Sequence, residues 1–159
     1  MKENLIEAAK KHVQELMKSN DPSHDWYHVE RVYKNACYLA EQESLLNKDL
    51  HLDLNVIELA ALFHDIVDFK YDHEKLISLE EIANERLNNF FTNYKEELSD
   101  EQTKKIIFII LNISWRKELE AGRNQENIMH ELKIVRDADR LDAIGAVGIA
   151  RCFGKKKKS

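Results

Sequence analysis

Residues Glu58–Phe69 read ELAALFHDIVDF, a His-Asp doublet set in a run that is otherwise nearly all apolar. From about Asn55 to Val67 the apolar residues fall on almost every side of a helical projection, as they do in a helix enclosed by its neighbours. This predicts a central, buried helix carrying His64 and Asp65. An unpaired buried carboxylate is costly, so the acid requires a compensating partner. Imidazole and carboxylate together suit a divalent first-row metal. Adjacent positions on a helix diverge by roughly 100°. His64 and Asp65 therefore reach one ion only off the helix edge between them, and other helices must complete the site.

Outward from this stretch the pattern stays helical, with 4 Gly and 1 Pro to interrupt it and no alternating strand pattern of useful length. Leu5, Ala9, Val13 and Leu16 form one apolar stripe; after SNDPS, Val29, Val32, Ala36 and Leu39 form another. Leu79, Ile82, Leu87 and Phe90 mark a further helix. Ser99 with Gln102 offers a capping box for the one that carries Ile106, Ile109, Ile110 and Ile113. A last helix starts near Asn127 and runs towards Ala150. The expected class is all-α: a single-domain bundle of about six or more helices with a metal site in its core.

The 159 residues, 43% of them hydrophobic, suffice for one sizeable core. Net charge is −5, and four of the positive charges are the terminal Lys155 to Lys158, so the body is more acidic still. That argues against a stable nucleic-acid partner, whose phosphates call for a basic surface. Cys37 and Cys152 cannot build a disulfide framework, and MKENLIEAAKKH carries charge where a secretory signal would be apolar. No run approaches the roughly 18 apolar residues of a membrane span. The expected location is the cytoplasm, with no membrane partner.

His28 opens the second helix and Asp139 lies in RDADRLDAIGA, residues 136–146. With His64 and Asp65 they supply two imidazoles and two carboxylates from facing helices. Such a set leaves open positions on a six-coordinate ion, as catalytic sites do. Asp137, Asp139 and Asp142 are alternatives for the last ligand. Asp142, at i+3 from Asp139, can orient a ligand or cap a neighbouring helix.

The motifs SHDWYHVERV, ALFHDIVDFKY and DADRLDAIGAVGIAR together resemble the HD-domain superfamily of metal-dependent phosphohydrolases, close to its small bacterial branch. The likeness runs from about Ser23 to Arg151. It implies metal ligation by His28, His64, Asp65 and Asp139. It also implies an HD domain over residues 1–154, lacking C-terminal helices found in relatives; the low-complexity KKKKS at 155–159 reads as a disordered lysine-rich tail.

Asp68, three residues after Asp65 and four after His64, would share their face as general base; an acid stands there in related hydrolases. Lys70 and Arg140 would hold phosphate oxygens, and His24, at i−4 from His28, would reach the substrate. Asp25 would accept a ring N–H of a ligand histidine.

Plainer readings stand beside these. Asp68, Lys70 and Asp72 could be a solvated helix end, and Arg140 an ion pair with Asp137 or a neighbouring acid. Trp26 and Tyr27 read as a lid over the core beside Pro22, Gly145 and Gly148 as allowing close helix packing. His12, His51, His73 and His130 read as surface residues.

The expected function is hydrolysis of a nucleotide, in particular a nucleoside triphosphate to pyrophosphate, by water attacking phosphorus. The expected cofactor is one divalent ion, Mn²⁺ by ligand mix, with Mg²⁺, Co²⁺, Ni²⁺, Fe²⁺ and Zn²⁺ as alternatives. The expected partners are a small phosphate ester or nucleotide and a second copy in a homodimer. The alternative is an inactive or truncated metal-binding, regulatory module.

Overall fold

The computed structural model describes residues 4–18, 25–67, 78–121 and 128–154. They form eight helices: α1 Leu5–Leu16, α2 Trp26–Leu46, α3 Leu54–Phe63, α4 Leu79–Asn93, α5 Asp100–Asn112, α6 Trp115–Ala121, α7 His130–Asp142 and α8 Gly145–Gly154. Among the described residues there is no strand, and the class is all-α.

The apolar run around Leu59 becomes the axis of the bundle. Val56, Ile57, Leu59, Ala60, Ala61, Leu62 and Phe63 of α3 are all buried, with α1, α2, α5 and α7 packed around them. Each large aliphatic or aromatic side chain removed from water there contributes about 1.5–3 kcal/mol. The α2 helix turns His28, Val29, Val32, Ala36 and Ala40 inward against α3 and α7.

The start of α3 is tied to two neighbours. Asp53 caps it by accepting from Val56 N at 3.2 Å, while Gln102 of α5 donates to both Asp53 carboxylate oxygens at 3.0 and 3.2 Å. Glu131 of α7 accepts the Asp53 N–H at 3.2 Å. Gln102 also closes the capping box with Ser99, and an equivalent box, Ser78 with Glu81, opens α4.

Two helices end earlier than their apolar patterns suggest. The α3 helix stops at Phe63, so His64 and Asp65 sit in the turn beyond it. Side chains account for the stop: His64 Nδ1–H donates to the Ala61 carbonyl at 2.7 Å, and Arg86 of α4 donates to the Ile66 carbonyl. The Ala61 carbonyl, which the helix end leaves without a partner, is thereby satisfied without continuing the helix, and Arg86 holds the turn beyond it. Asp68, expected to share a helical face with the doublet, lies outside the described residues.

The helix expected from Asn127 to Ala150 is two helices, α7 and α8, separated at Ala143 and Ile144. Gly145 supplies the break with φ +71, a left-handed conformation. It has open space around it, so the packing role expected for it is replaced by a backbone one. Gly148 does allow close approach: a Cβ there would lie 2.1 Å from the Ala143 carbonyl oxygen.

His12 also departs from its surface reading. It is half-buried, donates from Nε2 to the Arg86 carbonyl at 3.0 Å and lies against the Phe63 and Phe90 rings. His51 and His130 are exposed, and His73 lies outside the described residues. Trp26 packs against the core whereas Tyr27 is exposed; Pro22 falls outside the described residues.

The Gly148 contact makes a direct prediction. Gly148→Ala should force α8 away from the end of α7 and destabilise the fold by about 1–3 kcal/mol, the usual range for overpacking. A melting temperature unchanged from wild type would contradict it.

Candidate metal centre

His28 and His64 approach from different elements until their Nε2 atoms are 3.1 Å apart. His28 stands in the first turn of α2, where Asp25 accepts the His28 backbone N–H at 3.0 Å. Asp25 is thus a helix cap, and the expected acceptance of a ring N–H passes to another residue. His64 is held by its bond to Ala61. That bond places the His64 proton on Nδ1 and directs Nε2 towards His28.

Two carboxylates meet the paired imidazoles. Asp65 Oδ2 lies 3.3 Å from His28 Nε2 and 3.6 Å from His64 Nε2. Asp139 Oδ1, from α7, lies 3.4 and 3.8 Å from the same two atoms. His28, His64 and Asp65 offer ligand atoms all within 4.8 Å of one another and form a possible metal site. Both imidazoles are buried, while the Asp139 side chain is 36% exposed, so the cluster meets solvent on the α7 side.

The donor set fits a divalent cation. Two donors each about 2.1 Å from one ion, at tetrahedral or octahedral angles, stand roughly 3.0–3.4 Å apart, comparable to the spacings here. The electrostatics agree. Burial works against a charge on His28, but hydrogen bonds to Asp139 and Asp65 and the Asp65 charge outweigh it, and its pKa is pushed up to about 9. Two imidazole nitrogens and two carboxylates this close attract positive charge, whether a proton or a metal.

Of the three acids clustered in α7, only Asp139 faces the imidazole Nε2 atoms. Asp137 is exposed, 3.7 Å from Arg140. Asp142 is buried on the opposite edge of the His28 ring, accepting from Nδ1 at 2.7 Å. Burial opposes its ionisation, yet hydrogen bonds from Arg31 and His28 hold its carboxyl below the usual range.

Arg140 pairs with Glu118 of α6 and lies over the Trp115 ring, 5.2 Å from its centroid. It is therefore engaged as an ion pair with a neighbouring acid, the plainer of its two readings. Asp68, Lys70 and His24 lie outside the described residues, as does Asp72. Arg31, Arg86 and Arg151 were missed by sequence reasoning. Arg31 alone left a signal, at i+3 from His28 on one helical face.

The profile of the HD domain family matches residues 25–144, from the cap of α2 through the end of α7. The chain belongs to the HD-domain family. HD domains are metal-dependent phosphohydrolases and bind divalent metals. YpgQ of Bacillus subtilis is 38% identical over 141 residues, which cover 89% of this chain and 61% of YpgQ. The chain thus spans less than two thirds of that curated relative.

Solved structures agree with the HD-domain fold. YpgQ in complex with ADP superposes with a TM-score of 0.63 at 33% identity, covering 94% of this chain and 63% of that one. The Lin1889 protein of Listeria innocua gives 0.62 at 36% identity, covering 94% and 61%. A Lactobacillus plantarum protein gives 0.72 at 26% identity, covering 96% and 63%. In this HD domain no helix among the described residues is long and apolar enough to cross a membrane.

The raised His28 pKa carries a stability prediction. Because the folded value of about 9 exceeds the ordinary 6.5, the stabilisation is full below pH 6.5 and is lost as pH rises through about 9. In the presence of a chelator, the melting temperature should fall between those two pH values, and His28→Asn should flatten that slope. Parallel wild-type and variant curves would contradict the assignment.

Proposed function

We propose that this HD domain is a metal-dependent phosphohydrolase acting on nucleotides, and that its substrate is a nucleoside triphosphate cleaved to release pyrophosphate. The observation that carries the reading is the convergence of His28, His64, Asp65 and Asp139 from α2, the turn after α3 and α7. The ADP complex of the similar protein YpgQ supports a nucleotide ligand.

In this reading His28 and His64, with Asp65 and Asp139, would hold the ion, the imidazoles offering Nε2. A divalent ion held there, Mn²⁺ by its ligand mix, would supply Lewis acidity for water and for a phosphoryl oxygen. Asp68 takes the proton from the attacking water. Lys70 holds phosphate oxygens, and His24 contacts the substrate. Arg140 also serves the phosphate, exchanging Glu118 for substrate oxygens; both are acceptors for the same guanidinium donors. The open side of the cluster at Asp139 is the route for the substrate.

The cluster also separates two tasks. Buried imidazoles, each fixed at Nδ1, lose little further freedom on binding an ion. The more exposed Asp139 and Arg140 can adjust to the incoming phosphate. The residues proposed for domain 1–154 act together in this scheme, and a second copy in a homodimer is part of the same proposal.

Incubation of the metal-loaded protein with nucleoside mono-, di- and triphosphates tests the function. Release of pyrophosphate or phosphate should require Mn²⁺ and be abolished in Asp65→Ala, which removes a ligand. Metal binding without release from any nucleotide would favour a metal-binding, regulatory module instead. Asp68→Asn should retain the metal and lower kcat by about 10²–10⁴-fold, the range for general acid-base catalysis. Loss of metal in that variant would make Asp68 a ligand and not the base.

A further inference from the structure

We propose that Asp142 is a positioning residue for the metal centre: clamped by Arg31 and Arg151, it accepts the Nδ1–H of His28 and keeps that ring's Nε2 directed at His64, Asp65 and Asp139. The inference rests on the metal-centre reading above and extends it to the opposite edge of the ring.

The contacts fall on both oxygens of one carboxylate. Asp142 Oδ1 accepts from Arg31 Nε at 2.5 Å. Oδ2 accepts from Arg31 Nη2 at 3.0 Å, from Arg151 Nη1 at 2.7 Å and from His28 Nδ1 at 2.7 Å. The Arg31 fork is bidentate and sets the plane of the carboxylate. With its side chain 3% exposed, Asp142 has no competing solvent to turn towards.

An ionised carboxylate only accepts hydrogen bonds, so His28 Nδ1 must carry the proton. In the neutral ring, Nε2 is then the lone-pair nitrogen, the form a metal ligand requires. Asp139 and Asp142, three residues apart on α7, thus meet the two opposite nitrogens of one imidazole. A tie between α2 and α7 alone would be complete with Arg31. The third helix enters through Arg151.

That third contact links the seating of α8 to the centre. Most described residues of α8 are exposed, including Val147, Ile149 and Phe153, whereas the Arg151 side chain is 17% exposed and directed at Asp142. Arg151 is therefore a polar contact through which α8 bears on His28.

Ring ¹H–¹⁵N correlation spectra of the ¹⁵N-labelled protein, with chelator and then with Zn²⁺ as a diamagnetic probe, test the proposal together with Zn²⁺ titrations. The His28 ring should carry its proton on Nδ1 in both samples. Asp142→Asn should weaken Zn²⁺ binding by about 10–100-fold, the usual effect of removing such a partner. Arg151→Met, at the edge of the fold, should weaken Zn²⁺ binding several-fold and speed exchange of the Nδ1 proton. If Asp142→Asn does not fold, the wild-type ring signal and Arg151→Met decide the matter. A bare Nδ1 in the wild type, or Zn²⁺ affinity unchanged in folded variants, overturns the positioning role alone. Failure of the wild type to bind Zn²⁺ overturns the metal-centre reading and takes the positioning role with it.

Discussion

The imidazole of His28 is the point through which most of this bundle is organised. One nitrogen meets Asp142 at 2.7 Å and the other meets His64 Nε2 at 3.1 Å, with Asp65 and Asp139 close by. A buried ring with both nitrogens engaged constrains every element that reaches it. Here those elements are α2, α7 and the turn after α3, with Arg151 joining from α8. The cluster gathers negative charge at Nε2 and sets an arginine-backed carboxylate at Nδ1, so the ring lies along an electrostatic axis.

The apolar core provides the stiffness that such a cluster needs. Like groups at 3–4 Å repel unless a cation lies among them, and they remain close only when the surrounding helices cannot yield. The buried residues of α3 and the ties from Asp53 to Gln102 and Glu131 hold one end of that helix. Arg86 and the His64 contact with Ala61 hold the other. The site therefore sits on a short, rigid segment fastened at both ends, which is how a scaffold keeps donor atoms near their working geometry.

Much of this was legible in the residues. The all-α class followed from apolar stripes at helical spacing and from the scarcity of Gly and Pro. The Ser99–Gln102 box was visible because capping is a local interaction of residues three apart. The family followed from three separated motifs in a fixed order. The stop of α3 was hidden, because Ile66 and Val67 continue the apolar pattern while carbonyl contacts from His64 and Arg86 end the helix. The break at Gly145 was hidden for a related reason: a lone glycine in a helical pattern does not reveal its φ. His12 was assigned to the surface because the rings it lies against, Phe63 and Phe90, come from other helices.

The sequence by itself determined that helices would form, which faces would be apolar, and that two histidines and several acids would be carried by separate helical segments. Those properties depend on residues within a few positions of one another. Only the tertiary structure decided which of Asp137, Asp139 and Asp142 faces the imidazole Nε2 atoms, that Asp142 takes the far nitrogen of His28, and that Arg140 pairs with Glu118. Those choices turn on the rotation of α7 about its own axis and on side chains more than a hundred residues apart in the chain, such as His28 and Asp142. No local spacing encodes such a rotation; it is set by how α7 packs against α2 and α3.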